Sequence, residues 1–274
     1  MAYDPLDRGV ILFGGQIATT VTNDTWLWTG GDWRRLAPAV RPSSRQLSAM
    51  GYDPATAQLV LFGGEGCGGS CGDTWIWNGR TWIEPPNTSG PVGREGQMMA
   101  YDVRMHQLLM FGGESALCGG QCTDTWTWNG ASWTELNTAG PTTRGGAMAY
   151  DPNLGTVVLY GTDHATDTQT WEWTGSGWIQ ASASGPCNTT YNSMAGDDRG
   201  SVVLFGGDGF CNVQNTTETW NGTRWIDHLT SPSPAARAFA AMTFDPLTAQ
   251  TILFGGEGSP SLGAPLLNDT WGLH

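Results

Sequence analysis

Residues 59–64 of the chain read Leu59-Val60-Leu61-Phe62-Gly63-Gly64, an apolar run that ends in two glycines. Phe-Gly-Gly begins again at positions 13, 111, 205 and 254, and Tyr160-Gly161-Thr162 is a weaker copy. Successive copies lie 49, 49, 49, 45 and 49 residues apart. Self-similarity at a fixed period of this size indicates a repeat architecture. An unbroken apolar run is typical of a strand that is covered on both faces.

The rest of each repeat supplies three more strands. After the glycines and a loop comes a stretch such as Asp73-Thr74-Trp75-Ile76-Trp77-Asn78-Gly79-Arg80-Thr81-Trp82, in which Asn-Gly predicts a hairpin between two tryptophan-bearing strands. A later stretch, from Arg144 to Pro152, predicts a strand of small residues that ends at a Tyr-Asp-Pro turn. Each repeat is therefore predicted to form four strands, a to d, with strand a innermost and the apolar run in strand b.

Six such repeats predict an all-β chain that forms one domain, a six-bladed β-propeller over residues 1–274. The predicted blades cover approximately residues 1–42, 43–91, 92–141, 142–186, 187–234 and 235–274. The last repeat stops shortly after Asp269-Thr270-Trp271, so the sixth blade is predicted to lack its outer strand d. All 15 tryptophans fall at repeat positions, which indicates packing between blades rather than platforms for sugar stacking.

The diglycine after an apolar strand, the tryptophan on the outer strand and the period of about 50 residues resemble the kelch repeats of propellers in the galactose oxidase superfamily. The resemblance covers essentially the whole chain and implies the propeller fold. It implies no single function, because kelch propellers include protein-binding modules, sugar-handling enzymes and oxidases. Thr-Trp-x-Trp stands here where the common eukaryotic repeat usually has a tyrosine.

Composition agrees with an all-β chain and excludes two kinds of partner. The 40 glycines and 15 prolines, with only 14% charged residues, indicate many tight turns between short strands. All 12 basic residues are arginine and the net charge is −13, so no nucleic acid is expected as a partner, because binding it requires a basic surface. No stretch approaches the roughly 20 apolar residues of a membrane helix, so no membrane insertion is predicted.

The six cysteines predict three disulfides and an extracellular or cell-surface location. Two pairs share C-x-x-x-C spacing in matching b–c loops, and the third joins two loops that are predicted to emerge on the same face. A four-cysteine zinc site from the two matching loops is the disfavoured alternative, because structural zinc usually prefers two residues between paired cysteines. The predicted pairs are Cys67 with Cys71, Cys118 with Cys122, and Cys187 with Cys211.

No catalytic set or cofactor site is recognised. The four histidines occupy different positions of the repeat and do not converge by any spacing rule. In the irregular fourth repeat, Asp163, His164 and Asp167 lack the organised shell that a metal needs and are interpreted as a loop that has departed from the repeat. No P-loop, nucleophile elbow or convincing carboxylate pair is present. We therefore expect no cofactor and no metal, and binding rather than catalysis.

Two sets of recurring loop residues are candidates for ligand binding. Arginines at the start of strand a, with a tyrosine in the fifth repeat, are predicted to form an incomplete ring at the mouth of the central channel. Their alternative role is to hydrogen-bond loop carbonyls of neighbouring blades. Acidic residues follow the diglycine in four repeats, where solvated loop carboxylates are the alternative. The first set is Arg45, Arg94, Arg144, Tyr191 and Arg237, and the second is Glu65, Glu114, Asp208 and Glu257.

These features favour an extracellular binding module that recognises a protein or carbohydrate ligand through loops at one face of the channel. The arginines predict an anionic ligand, since guanidinium groups pair with carboxylates bidentately. One alternative is a carbohydrate-active enzyme resembling the epimerases or oxidases of the superfamily, for which an assembled acid, base or metal set is missing. A structural repeat segment of a larger surface protein is the other alternative.

Overall fold

The computed structural model describes residues 1–86, 89–138, 140–163, 167–186, 189–197, 199–209, 213–228, 232–258 and 265–273. Within these ranges the chain is all-β, a six-bladed propeller of six small antiparallel sheets with a single 3₁₀ turn. It forms two compact units, Met1–Gly140 and Pro141–His274. Each unit contains three blades. None of the described residues belongs to a helix with the length and apolar character that crossing a membrane requires.

Unit 1 contains the first three blades, each with the strand order a-b-c-d that the repeat predicts. The first blade comprises β1 (Ala2–Asp4), β2 (Gly9–Phe13), β5 (Thr25–Trp28) and β6 (Trp33–Leu36), with β3 (Gln16–Ile17) and β4 (Thr20–Val21) paired in its b–c loop. The second comprises β7 (Ala49–Asp53), β8 (Gln58–Phe62), β9 (Thr74–Trp77) and β10 (Trp82–Ile83). The third comprises β11 (Met98–Asp102), β12 (Gln107–Phe111), β15 (Thr125–Trp128) and β16 (Trp133–Leu136), and its b–c loop contains β13 (Glu114–Ser115), the 3₁₀ turn η1 (Ala116–Cys118) and β14 (Gly120–Gln121).

Unit 2 contains the remaining three blades. The fourth comprises β17 (Arg144–Asp151), β18 (Thr156–Asp163), β19 (Asp167–Trp173) and β20 (Trp178–Ser182). The fifth comprises β22 (Ser193–Gly196), β23 (Val202–Phe205), β25 (Thr217–Trp220) and β26 (Trp225–His228), beside the pair β21 (Thr189–Thr190) and β24 (Asp208–Gly209). The sixth comprises β27 (Ala241–Asp245), β28 (Gln250–Phe254) and β29 (Thr270–Leu273), and the described residues supply no fourth strand to it. The described residues thus give the sixth blade the three strands that the sequence predicts.

An aspartate closes the turn between strands a and b in every blade. Its carboxylate accepts a hydrogen bond from the backbone N–H two residues later, at 2.8 to 3.0 Å. Such a bond reproduces a backbone turn with a side chain, in agreement with the turn that the Tyr-Asp-Pro stretch predicts. The fifth blade uses Asp197, which does not fit the sequence pattern because Gly196 precedes it in place of the aromatic residue found in the other blades. The full set is Asp4, Asp53, Asp102, Asp151, Asp197 and Asp245.

Tryptophans join consecutive blades within each unit. The outer-strand Trp82 packs against Phe13 of the preceding blade with ring centroids 5.2 Å apart, and its indole N–H donates to Thr25 Oγ1 at 3.0 Å. Trp133 and Trp225 make the matching bonds to Thr74 and Thr170, both at 2.9 Å. A buried indole loses hydration unless its N–H finds an acceptor, so each bond completes the packing. The prediction that these tryptophans pack between blades is confirmed.

Candidate functional site

The loop face is built around short backbone pairings at the entry to strand a. In four blades, one residue in this entry pairs with the residue that follows the diglycine of the same blade. In the fourth blade, which has Gly161-Thr162 in place of the diglycine, the entry residue pairs with Thr162. We call these the rim pairs. All four acidic candidates are members of them. The rim pairs are Gln46–Glu65, Glu95–Glu114, Arg144–Thr162, Thr190–Asp208 and Ala238–Glu257.

The residue after the first member of each rim pair has a left-handed backbone, and we call these the turn residues. They hydrogen-bond from blade to blade: Gly96 N–H donates to Leu47 O at 2.9 Å, Tyr191 N–H to Gly145 O at 2.6 Å, and Phe239 N–H to Tyr191 O at 3.0 Å. A positive φ is uncommon for a side chain other than glycine and indicates local strain. The turn residues are Leu47, Gly96, Gly145, Tyr191 and Phe239, with φ of 55°, 64°, 54°, 60° and 59°.

Three of the candidate arginines are fully buried. Arg45 and Arg94 are 0% exposed and Arg237 is 1% exposed. The guanidinium of Arg45 binds both carboxylate oxygens of Asp73 at 2.6 and 2.7 Å and donates to Gly63 O at 3.1 Å. Arg94 and Arg237 bind two aspartates and two diglycine carbonyls in the same way, and these partners are Asp124 with Gly112 and Asp269 with Gly255.

The backbone of each buried arginine is hydrogen-bonded to the preceding blade. Arg45 N–H donates to Thr22 O, and Arg45 O accepts from Gly15 N–H, so this peptide unit is bonded to the first blade while the side chain is bonded to the second. This geometry supports the alternative role, hydrogen bonding between neighbouring blades. Ligand binding by these arginines stays a prediction.

The aspartate partners are held in the ionised form. Burial is the largest influence on the pKa of Asp73 and raises it, but the hydrogen bonds from Arg45 and Trp75 and the charge of Arg45 together outweigh burial and lower the pKa. Asp124 shows the same balance with Arg94 and Trp126. For Asp269, the hydrogen bond from Arg237 dominates and lowers the pKa to about 2.

Two of the candidates, Arg144 and Tyr191, do not occupy the same position of the repeat as Arg45, contrary to the prediction. Arg45 lies four residues before the first residue of β7, and by strand register Thr143 and Thr189 occupy the matching places in the fourth and fifth blades. Arg144 is instead a rim-pair residue, and Tyr191 is a turn residue. Residue type alone therefore does not identify the equivalent positions, which strand register defines.

A sequence signal for the arginine–aspartate pairs was available. The blades with Arg45, Arg94 and Arg237 carry an aspartate directly before the Thr-Trp of strand c. The fourth and fifth blades lack the arginine, and Gln169 and Thr216 stand at the aspartate position. In these five blades the opposite charges are present or absent together, as an ion pair requires, although the partners lie 28 to 32 residues apart. The first blade also has an aspartate at this position, Asp24, which binds Arg35 instead.

In unit 2 the turn residues form an aromatic surface. The rings of Tyr191 and Phe239 are stacked, with centroids 4.0 Å apart and an angle of 26° between their planes. Phe239 is 37% exposed and Tyr191 is half-buried. Asp208 and Glu257 lie in the rim pairs directly beside them, with Asp208 O accepting from Thr190 Oγ1 at 3.2 Å. We call Tyr191, Phe239, Asp208 and Glu257 the aromatic–acid site, which the sequence singled out in part without relating its members.

In unit 1 the loop face carries three carboxylates. Glu65 is exposed and accepts a hydrogen bond from Gln46 Nε2 at 3.0 Å, and Glu95 accepts one from Ser70 Oγ at 3.2 Å. Burial, and then the charges of Glu65 and Glu114, raise the pKa of Glu95 above its ordinary value despite the bond from Ser70. The acids are therefore close enough to repel one another.

Two of the three predicted disulfides are confirmed. Cys67–Cys71 and Cys118–Cys122 are bonded within their own b–c loops, with Cα atoms 5.4 and 5.2 Å apart. Both sulfurs of each loop are thereby occupied, so the four-cysteine zinc alternative is not the arrangement seen. Cys187 and Cys211 lie outside the described residues.

Among the described residues, one group combines three potential metal ligands, Cys67, Cys71 and Asp73. Its sulfurs form the disulfide and its carboxylate binds Arg45. His106 lies in an a–b turn at φ 55°, and His228 Nε2 is 2.7 Å from Thr219 Oγ1. His164 and His274 lie outside the described residues, as do the side chains of Asp163 and Asp167.

The fold and this geometry define the chain as a β-propeller, a class that comprises binding and enzymatic modules. No protein-family model matches the sequence. A search of curated proteins finds no significant relative.

Proposed function

We propose that the chain is a kelch-type propeller that acts as an extracellular binding module, with the aromatic–acid site as its ligand contact. The observation that supports this most is the stacked pair of Tyr191 and Phe239 at positive φ. Glycine occupies the matching places in the third and fourth blades and adopts that backbone without strain. Aromatic rings at a strained position lower stability, and strain of this kind concentrates at functional sites.

The chemistry of the site favours a carbohydrate ligand over a protein ligand. The apolar C–H face of a sugar ring packs on an aromatic ring, and carboxylates such as Asp208 and Glu257 accept hydrogen bonds from sugar hydroxyls. The partly exposed carboxylates of Asp208 and Glu257 lie beside the rings, whereas Arg237 is buried against Asp269. We therefore propose a ligand group that is neutral or cationic in place of the anionic one that the arginines suggested.

The extracellular location rests on the loop disulfides. Disulfides persist in oxidising compartments and are rare in the cytosol. The two confirmed pairs lie in b–c loops, which contribute to the same loop face as the rim pairs. A location outside the cell is also where a glycan-binding module meets its ligands.

The test is a glycan-array screen followed by titration calorimetry with the best saccharide. The Tyr191→Gly/Phe239→Gly variant removes both rings while keeping a backbone that adopts positive φ freely. We expect its affinity to fall roughly tenfold or more, about 1.4 kcal/mol, while the melting temperature is unchanged or higher. Leu47→Gly is the matched control, because Leu47 has the same backbone geometry in unit 1 and carries no ring.

Two results would contradict parts of the proposal. Equal saccharide affinity in the double variant and wild type would remove the aromatic pair from the site. A pull-down that recovers a protein partner with wild type but not with the double variant, together with an empty glycan array, would make the ligand a protein.

A further inference from the structure

The two described disulfides have the same spacing but different surroundings. Cys67 is exposed and Cys118 is half-buried, while their partners Cys71 and Cys122 are each 2% exposed. Exchange of a disulfide begins when a thiolate attacks one of its sulfurs, so disulfides with an accessible sulfur are the labile ones. The exposed sulfur of Cys67 is therefore open to an external thiol.

A hydrogen bond reaches this sulfur from a serine. Ser43 Oγ lies 3.2 Å from Cys67 Sγ, and the serine hydroxyl is the donor because a disulfide sulfur carries no hydrogen. Arg45 Nη2 donates to the same Ser43 Oγ at 2.9 Å, which leaves the hydroxyl hydrogen for the sulfur. A hydroxyl donor with a guanidinium behind it stabilises the thiolate that reduction of Cys67 produces.

A carboxylate close to the sulfurs opposes this effect. The carboxylate of Asp73 lies within 4.8 Å of the sulfurs of Cys67 and Cys71. Arg45 neutralises it through two hydrogen bonds, at 2.6 and 2.7 Å. The local charge is therefore close to zero, and the direct bond from Ser43 determines how well a thiolate is stabilised.

The matching position in the third blade cannot supply the same donor. Arg45 Nε donates to Ser43 O at 3.2 Å. Arg94 Nε donates to Val92 O at 3.1 Å, so Val92 is the counterpart of Ser43. Because valine has no hydroxyl, it cannot connect the guanidinium of Arg94 to Cys118. The surroundings of the two disulfides thus differ by one hydrogen-bonding side chain.

The loop of the third blade also has more internal structure. It contains the β13–β14 pair and the turn η1, in which Leu117 N–H donates to Ser115 Oγ at 3.2 Å. The loop of the second blade has a single bridge and three glycines at positive φ, which are Gly66, Gly68 and Gly69. A loop that holds two thiols together raises their effective concentration and favours the disulfide. Reduction is therefore opposed more strongly in the third blade.

We propose that the Cys67–Cys71 disulfide is redox-active and is reduced by an external dithiol, whereas the disulfide of the third blade is structural. A thiolate of the dithiol attacks Cys67 Sγ, forms a mixed disulfide there and expels Cys71 as a thiolate. The second thiol of the reagent then displaces Cys67, which leaves as a thiolate beside the Ser43 hydroxyl. The dithiol supplies two electrons and becomes a disulfide, and its two protons pass to the two cysteines.

Reduction opens a loop that contacts the next blade. Ser70 lies between the two cysteines, and its Oγ donates to Glu95 of the third blade at 3.2 Å. Glu65, a rim-pair residue, stands just before the first cysteine and forms a bridge with Ser70. The redox state of Cys67–Cys71 therefore controls the order of one part of the loop face of unit 1.

A redox titration with mixtures of reduced and oxidised dithiothreitol tests the proposal. Free thiols are trapped with N-ethylmaleimide and assigned to individual cysteines by peptide mass spectrometry. Cys67–Cys71 should be half reduced at a ratio of reduced to oxidised reagent at least tenfold lower than Cys118–Cys122, about 30 mV for a two-electron couple. Equal midpoints, or a lower ratio for Cys118–Cys122, would overturn the proposal.

Ser43→Val tests the hydroxyl, because it gives the second blade the residue type of the third. The midpoint of Cys67–Cys71 should move at least threefold toward the more reducing mixtures, while that of Cys118–Cys122 stays unchanged. Ser43→Thr keeps a hydroxyl, is the matched control and should keep the wild-type midpoint. If Ser43→Val leaves the midpoint where it is, the hydroxyl does not stabilise the thiolate and the proposal is wrong.

The alkylation rate of Cys67 is a second readout, which separates ionisation of the thiol from its accessibility. In the Cys71→Ser background, Ser43→Val should slow alkylation by iodoacetamide at least threefold at pH 7. It should not slow alkylation at pH 10, where the thiol is ionised with either residue at position 43. Equal rates at pH 7, or the same loss at both pH values, would count against stabilisation of the thiolate by Ser43 and overturn the proposal.

Discussion

The buried arginines show how single residues connect one blade to the next. Arg45 donates through its backbone to the first blade and through its side chain to the second, and Arg94 and Arg237 repeat this arrangement. A buried charge is tolerated only when it is paired and hydrogen-bonded, which the bidentate aspartate and the glycine carbonyl provide. The arginines are therefore sites where substitution affects stability strongly.

Arg45→Met should destabilise the protein by about 3–5 kcal/mol, because it leaves Asp73 without its cation. The matched control is Arg35→Met, which breaks the exposed ion pair with Asp24 and should change stability by less than about 1 kcal/mol. Urea unfolding at pH 7 measures both. Adding Asp73→Asn to Arg45→Met should recover part of the loss, as expected of coupled partners. A double variant as unstable as the sum of its single variants would show that the pair is not coupled.

At the residue scale, the sequence predicted which positions recur but not where the side chains point. The repeat placed Arg45 and Glu65 in loops, and the structure buries the first and exposes the second. The difference depends on Asp73, which lies 28 residues from Arg45 and becomes its partner only when strands a, b and c assemble. Periodicity contains no information on that pairing unless opposite charges are compared between repeats.

Among the elements, the β25–β26 hairpin of the fifth blade contains a strongly perturbed carboxyl. Glu218 on β25 lies opposite Asp227 on β26. Burial, followed by the charge of Asp227, raises the pKa of Glu218 to about 7 against the opposing hydrogen bond with Thr216. Between its ordinary pKa and this raised pKa, Glu218 is therefore protonated in the folded hairpin but ionised in the unfolded chain.

Stability should fall as the pH rises from the ordinary glutamate value of 4.5 through 7, because ionising Glu218 in the folded state then becomes necessary. Glu218→Gln removes this dependence. Since the side chain is partly solvated, we expect a gain of about 1 kcal/mol at pH 8, or about 2–4 °C in melting temperature, and no gain at pH 4. Calorimetry at the two pH values measures it. A gain of equal size at both would mean that the effect is not one of ionisation.

At the scale of strands, the sequence was most informative where one local rule dominates. Apolar runs predicted the strands b, Asn-Gly and Asp-Pro predicted turns, and the short last repeat predicted the three-stranded blade. The small pairs β3–β4, β13–β14 and β21–β24 were not predicted, because two-residue pairings in loops have no periodicity of their own. The turn residues were missed for a related reason, since leucine, tyrosine and phenylalanine do not indicate positive φ.

For the whole molecule, cohesion comes from apolar packing between blades rather than from the loop disulfides. One cluster joins Ile11, Phe13 and Leu27 of the first blade to Leu61 and Trp82 of the second. A second cluster joins the second blade to the third, and another joins the fourth to the fifth. Each described disulfide closes a loop between cysteines only 4 residues apart.

Removing a disulfide should therefore weaken the protein without unfolding it. Cys67→Ser/Cys71→Ser should lower stability by about 2 kcal/mol, the chain-entropy value for a short loop, and the melting temperature by a few degrees. Far-UV circular dichroism of the variant should match wild type at 25 °C. Loss of the folded spectrum would show that the loops, and not the clusters between blades, hold the structure together.

The short sequence range of the disulfides and of the arginine contacts has a consequence for how such a chain evolves. Each described disulfide begins and ends inside one repeat, and each buried arginine contacts only its own blade and the one before it. Duplication of a gene segment that encodes one repeat therefore copies both cysteines of a disulfide together. It also copies an aspartate together with the arginine that neutralises it. The fourth and fifth repeats have neither residue, so neither repeat carries an unpaired charge at this position.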